Sequence, residues 1–217
     1  MNIMADDTGG RAIFHSNDFA GALDTIGRDL GTRYSLAYAP DHGGDGERHT
    51  IEVELRDDRR GLTVRHRRDY RDWSADERLA ARVRTALFAG FVENPLDARF
   101  GWGAASDGAD GRIVVPLRVN VPVDRLVFLP EDGIELARVT LLAAVRNAAG
   151  DMVSFTERKP VLERPPEGMT ALPLRIDVEA PAGEHVVAVA IRDDVTRTTS
   201  ILAAPFLLER DSAGSAR

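Results

Sequence analysis

The chain has 217 residues, 43% of them hydrophobic and 29% charged, an ordinary composition for a globular protein, and a chain of this length buries roughly 70% of the surface its unfolded form exposes, so it needs no disulfide or metal to hold a core. The formal charge is −7, Lys159 is the single lysine and the arginines are scattered among acids, which argues against a nucleic-acid partner because phosphate backbones call for a basic stripe. With no cysteine there is no disulfide, thiolate nucleophile or Cys-based zinc site, and no run approaches the ~20 apolar residues of a membrane span.

In chain order, Met1 to Gly10 carries Asp6 and Asp7 and no apolar h-region, so it does not read as a signal peptide. Thr8-Gly9-Gly10 punctuates, and Arg11 to His15 reads as a short strand. Ser16 or Asn17 can cap a helix in which Phe19, Leu23, Ile26 and Leu30 form one apolar stripe and which Gly31 ends. A three-stranded meander is predicted next. Tyr34, Leu36 and Tyr38 alternate with small residues, Ile51, Val53 and Leu55 with Glu52 and Glu54, and Leu62 and Val64 continue the pattern after the Asp57 to Gly61 turn. Ser74 and Glu77 then form a capping box for a helix with an apolar face of Leu79, Val83, Leu87 and Phe88, stopped by Asn94-Pro95. Residues 99–111, rich in Gly, Ala, Ser and Asp from Gly101 onward, read as a linker.

From Arg112 the pattern is all β. Ile113 to Val121, Val139 to Val145, Leu172 to Val178 and Val187 to Ile191 alternate with period two, with shorter runs at Leu126 to Leu129, Met152 to Phe155 and Ser200 to Phe206. Turn signals at Glu131-Asp132-Gly133, Asn147 to Asp151, Pro165 to Gly168 and Pro181-Ala182-Gly183 separate them. About seven such strands predict an antiparallel β-sandwich of immunoglobulin-like shape.

The opening residues also resemble a family. Ala5-Asp6-Asp7-Thr8-Gly9-Gly10 is similar to the "A-x-x-T-G-G" turn late in von Willebrand factor A-type domains. Asn17-Asp18-Phe19 with Ala22-Leu23 resembles their closing helix, and Tyr34-Ser35-Leu36-Ala37-Tyr38-Ala39-Pro40 the "Y-x-L-x-Y-x-P" strand after it. Gly61-Leu62-Thr63-Val64-Arg65 through Arg68-Asp69-Tyr70-Arg71 is similar to the hairpin of bacterial VWFA-related members, with Asp69 where glycine is usual. The resemblance covers residues 1 to 72. It implies a partial α/β tail in an α+β chain, from relatives that are secreted or periplasmic; for this chain itself the sequence fixes no compartment. The family's metal-binding Asp-x-Ser-x-Ser is not matched; Asp211-Ser212-Ala213-Gly214-Ser215 has serine at the wrong offset. The resemblance therefore transfers no metal ligand, and it implies a truncated start at Met1.

Candidate chemistry is sparse. The histidines, His15, His42, His49, His66 and His185, lack the i, i+4 spacing of a helical metal site, although His49 and His66 can meet across the predicted hairpin. Asp41 to Glu47 and Asp107 to Gly111 are acidic and glycine-rich, but offer too few alternating oxygens for a calcium loop and read as turns. There is neither a Gly-x-Ser-x-Gly elbow nor a phosphate loop. The densest positive run supplies Arg65, Arg67, Arg68 and Arg71 as a docking patch for an acidic protein partner, or as charges that guard a strand edge. Trp73 and Trp102 flank the second helix and are expected to pin it to its neighbours.

The organisation expected is thus 1–98 as the truncated A-type tail with meander and helix, 99–111 as linker, 112–210 as sandwich and 211–217 as a disordered tail. The function expected is a non-catalytic protein-interaction or structural module without cofactor, able to self-associate through an exposed sheet edge. The alternatives are a carbohydrate- or surface-binding sandwich and an accessory domain of an extracytoplasmic enzyme.

Overall fold

The computed structural model describes residues 5, 8–14, 18–31, 33–41, 43–55 and 64–209. The chain divides into two compact units, 1–77 and 78–217. The class is mixed α and β, with antiparallel sheets.

In the first unit, α1 runs Phe19–Gly31. Asp18 is its cap: its carboxylate accepts the Gly21 amide at 2.9 Å, and its carbonyl accepts the Ala22 amide. That corrects the expected cap at Ser16 or Asn17, which lie outside the described residues. Strands β1 (Arg48–Thr50) and β2 (Asp69–Arg71) pair antiparallel, with His49 opposite Tyr70. The ladder is extended by one bond, from the Ile51 amide to the Arg68 carbonyl. Among the described residues the predicted meander is represented by this two-stranded ribbon alone. Residues 33–40, 52–55 and 11–14 join no ladder, while His15 and Leu62 lie outside the described residues. A ribbon of two short strands offers little face to cover, so alternating apolar residues gain nothing by pairing there.

Helix α2 (Ala75–Ala89) opens on the predicted capping box: the Ser74 amide donates to Glu77 Oε2 at 2.9 Å and the Glu77 amide to Ser74 Oγ at 3.2 Å. It closes at Gly90, whose φ of 67° suits glycine and whose amide reaches the Ala86 carbonyl.

The second unit is a sandwich with a helix laid on it. One sheet is built from β3 (Arg99–Trp102), β4 (Ser106–Asp107), β5 (Ile113–Pro122) and β10 (Ala171–Ala180), with β5 central. The other holds β6 (Leu129–Glu131), β7 (Ile134–Asn147), β8 (Met152–Arg158), β9 (Val161–Glu163), β11 (Gly183–Asp193) and β12 (Thr199–Leu208). The Asp132-Gly133 turn between β6 and β7 has φ of 51° and 85°, the positive pair a tight hairpin needs.

Odd positions of β5 (Val115, Leu117, Val119, Val121) and even positions of β10 (Leu174, Ile176, Val178) face inward. They meet Val139, Leu141, Ala143 and Val145 of β7 and Val187, Val189 and Ile191 of β11. The strand pattern of β5 and β10 is the predicted one, buried on one face only. In β7 and β11 both faces are buried, because Leu79, Val83, Ala86 and Leu87 of α2 pack on Leu142, Ala144, Ala188, Ala190 and Ile201 behind the sheet. The alanines let the helix axis come close. Phe88, predicted on the buried face, is instead exposed and stacks under the Arg146 guanidinium at 5.7 Å.

The expected boundary at 98–112 is therefore displaced. The division falls inside α2, and 99–111, read as a linker, supplies β3 and β4 to the sheet edge. Trp102 lies against Phe206, ring centres 4.5 Å apart, inside the sandwich rather than on a neighbouring domain. The chain between α2 and β3 is tied down: Glu93 bridges Ile201, the Leu96 amide donates to buried Ser200, and the Asn94 side chain grips both the amide and the carbonyl of Ala98.

Removing side-chain volume between α2 and the sheet should be costly. Leu87→Ala is expected to destabilise by about 2–5 kcal/mol, and Ala188→Leu, which overfills the same layer, by about 1–3 kcal/mol. Urea denaturation followed by tryptophan fluorescence checks both.

Candidate docking surface

The helical stripe predicted from the sequence forms, and it is uncovered. Phe19 is 77% exposed, Leu23 68%, Ile26 45% and Leu30 65%; just beyond the helix Tyr34 is 89%, Leu36 78% and Tyr38 61% exposed. No residue of α1 is buried. An amphipathic helix ordinarily turns such a stripe to a core, and a 13-residue helix draws little stability from propensity alone. Large apolar side chains exposed in this number make the segment a candidate interaction surface.

The polar flank of α1 is anchored within its own unit. Asp29 is bonded to Arg65 and, at 3.2 Å, to Arg11. The Arg65 hydrogen bond holds the Asp29 carboxyl below the usual carboxylate range, with the charges of Arg65 and Arg11 adding to it. The proposed arginine patch is thus largely engaged. Arg67 Nε donates to the Asp69 carbonyl, and Arg71 pairs with Glu77 and donates to the Gly46 carbonyl at 3.1 Å. Of the four, Arg68 contributes its carbonyl to the ribbon. The sequence shows charge density; it does not show that carboxylates elsewhere in the unit pair with two of the four, Arg65 and Arg71.

Beside the ribbon, titratable groups gather that the sequence reading did not join. His49 Nε2 lies 3.0 Å from Asp45 Oδ2, and its ring stacks on Tyr70 at 5.2 Å. Tyr38 meets Tyr70 edge-on at 6.0 Å. The Tyr38 hydrogen bond, with burial and the nearby Asp72 and Asp45 charges, raises the Tyr70 phenol to about 12. Asp72 Oδ2 accepts the Gly44 amide, and the Gly46 and Asp72 amides bond across to Asp72 and Glu47 carbonyls. These contacts fasten the acidic loop to β2. The one foreshadowing signal was Asp45 and His49 at a separation of four. Register, not spacing, places His49 by Tyr70 and four residues away from His66 along the facing strand, so the expected His49–His66 pair does not form. Among the described residues no group of three His, Asp or Glu could hold a metal ion. His15, His42 and Asp211 to Ser215 lie outside them. The Asp107–Gly111 segment is likewise a turn, closed by Gly108 donating to the Arg112 carbonyl.

In the second unit a shallow depression of about 570 Å³ is lined by Arg146, Glu184, Val186, Pro205 and Leu207, among others. His185 also borders it, but it belongs to the core-facing alternation of β11 with Val187. Its ring is buried, tilted on Phe206 and bonded through Nε2 to the Pro181 carbonyl, and Nδ1 has no partner. The burial of this ring against an aromatic neighbour is a packing arrangement of the β11 inner face. At the opposite end, buried Asp193 accepts the amides of Val127, Val195 and Thr196, and Arg192 spans Asp194 and Thr140. These groups fix a turn.

No family model matches the sequence, and no curated protein matches it either. Solved structures give weak likenesses. The Northeast Structural Genomics Consortium target SoR45 is matched over 58% of this chain and 96% of that one, with a TM-score of 0.34 and 12% identity. A Bacteroides uniformis β-glucuronidase is matched over 50% of this chain and 12% of that one, with a TM-score of 0.31 and 16% identity. A B. uniformis β-glucuronidase 2 covalently bound to cyclophellitol-6-carboxylate aziridine gives the same coverages, 0.29 and 13%. This chain spans only a small part of either glucuronidase. At TM-scores this low the likenesses carry no argument about fold or activity.

Two titrations check the electrostatics. The Asp29 carboxyl should titrate below an ordinary aspartate, because pairing favours its ionised form. The stabilisation is then present above the unfolded pKa and is lost as pH falls through the depressed folded value; Arg65→Met should move the midpoint upward in a carboxyl-detected NMR titration. Tyr70 should ionise near the top of the accessible range, and Tyr38→Phe should bring it back toward an ordinary tyrosine in ultraviolet difference spectra.

Proposed function

We propose that this chain is a non-catalytic protein-interaction or structural module whose first unit presents an apolar face to a protein partner. The observation that carries the reading is the uncovered stripe of α1 with Tyr34, Leu36 and Tyr38 beside it. A soluble surface does not hold so many large apolar side chains at water without use. The helix is built deliberately for its place, with an Asp18 cap and a salt-bridged back at Asp24–Arg28 and Asp29–Arg65, so its apolar side is free to bind.

Part of the proposal is that residues 1 to 72 resemble VWFA-related proteins, in which α1 and residues 34–40 correspond to elements that pack against the rest of an A-type domain. The sandwich, for which an immunoglobulin-like shape is part of the proposal, serves as the rigid carrier. The arginines at 65, 67 and 71 act within this unit as internal braces rather than as the primary docking patch.

The test is an apolar fluorescent probe such as bis-ANS. The native chain should enhance its emission. The double variant Leu23→Glu/Leu36→Ser, with unchanged far-ultraviolet circular dichroism, should reduce that enhancement severalfold. Equal emission from both proteins would show that the face is not available and would remove the basis of the reading.

A further inference from the structure

We propose that the partner of this face is a second copy of the chain, docked so that α1 packs antiparallel on α1 of its twin about a two-fold axis. The proposal rests on the interaction-module reading above and names its occupant.

The first argument is the arrangement of the stripe. Phe19, Leu23, Ile26 and Leu30 follow one another at separations of four, three and four, an order that reads the same in both directions. An isologous interface demands that quality: if residue i meets j, then j must meet i. An antiparallel pair centred between Asp24 and Thr25 sets Phe19 against Leu30 and Leu23 against Ile26, twice over. The same centre sets Ala22 against Gly27, the small residues flanking the stripe on either side. Around Gly27 there is open space, with no atom within 4 Å of where a Cβ would stand. Large residues therefore meet large ones along the seam and small ones meet small ones beside it, which permits an axial separation of about 8–10 Å.

The second argument is charge. Asp24 and Arg28 pair with each other at 2.9 Å on the side of α1 away from the stripe, and Asp29 is taken up by Arg65 and Arg11. Bringing two identical helices together therefore buries no like charge against itself. A strongly acidic or basic partner would find little left to pair with.

The third argument is area. At about 150–250 Å² for an aromatic side chain and somewhat less for Leu or Ile, the seven exposed residues offer roughly 800 Å² per copy. Two copies then bury about 1,600 Å², the size of a standard specific interface. The helical stripe alone falls short of that, so the proposed interface also takes in Tyr34, Leu36 and Tyr38, the next large exposed residues along the chain.

Because the chain has no cysteine, single introduced cysteines report the geometry without background. In the full chain, sedimentation equilibrium should show a reversible monomer–dimer system, with a limiting mass twice 23.7 kDa. Leu23→Glu should weaken the association at least tenfold while leaving circular dichroism and the unfolding midpoint of the sandwich unchanged. Under mild oxidation, a mixture of Phe19→Cys and Leu30→Cys chains should form disulfide-linked heterodimers, whereas Phe19→Cys alone should not cross-link. A dimer that survives Leu23→Glu, or Phe19→Cys that cross-links with itself as readily as with Leu30→Cys, overturns the arrangement. A chain that stays monomeric at high concentration overturns the second copy as partner. If that monomer still binds bis-ANS through the stripe, the interaction-module reading stands and another protein fills the face; if it binds none, both fall.

Discussion

Burial of the β7–β11–β12 sheet on both of its faces is the constraint from which the second unit takes its form. On one side the sheet meets β5 and β10 through a layer of valine, leucine and isoleucine. On the other it meets α2 across alanines at 144, 188 and 190. A sheet with one wet face needs only a second sheet. A sheet whose off-beat positions are Leu142, Ala144, Ala188 and Ala190 needs a cover there too, and the preceding helix is the nearest element able to supply it. The locked connection through Glu93, Asn94 and Leu96 follows, because a helix laid on the back of β12 must return the chain to the other sheet's edge at β3.

The first unit is organised on a different principle. Its polar contacts are numerous: Asp18 on α1, Asp72 on the acidic loop, Arg71 and Arg65 on carboxylates. Its large apolar residues, by contrast, stand in solvent. Polar contacts of this kind set conformation but add little net stability, since each replaces a bond to water. Under the proposed function, a unit held in shape by such contacts is a preorganised docking surface, which lowers the entropic cost of association.

Titratable groups converge in two places, and in both the structure shows packing contacts among them. Asp45, His49, Tyr38 and Tyr70 converge, but their bonds fasten a loop to a strand. His185 is buried with Nδ1 unbonded, and its ring lies beside Phe206. Convergent titratable groups indicate function only where a reacting atom could be placed among them.

The sequence by itself determined the elements whose signal is local. The α1 stripe, the Ser74–Glu77 box, the alternation of β5 and β10 and the Asp132-Gly133 turn each depend on residues close in the chain, where helix and strand periodicity act directly. Tertiary structure alone decided what covers what. Residues 99–111 look like a linker because glycine and alanine dominate, yet they pair because β5 presents an unfilled edge. Phe88 looks like part of a helix face, yet it stands exposed beneath the Arg146 guanidinium, outside the core. Arg65 looks free until Asp29, far away in sequence, is brought beside it. Among the described residues, Tyr34 to Tyr38 and Glu52 to Leu55 join no ladder, because alternation predicts a strand only when something is present to bury its apolar side. That is a property of the partner surface, which local sequence does not encode.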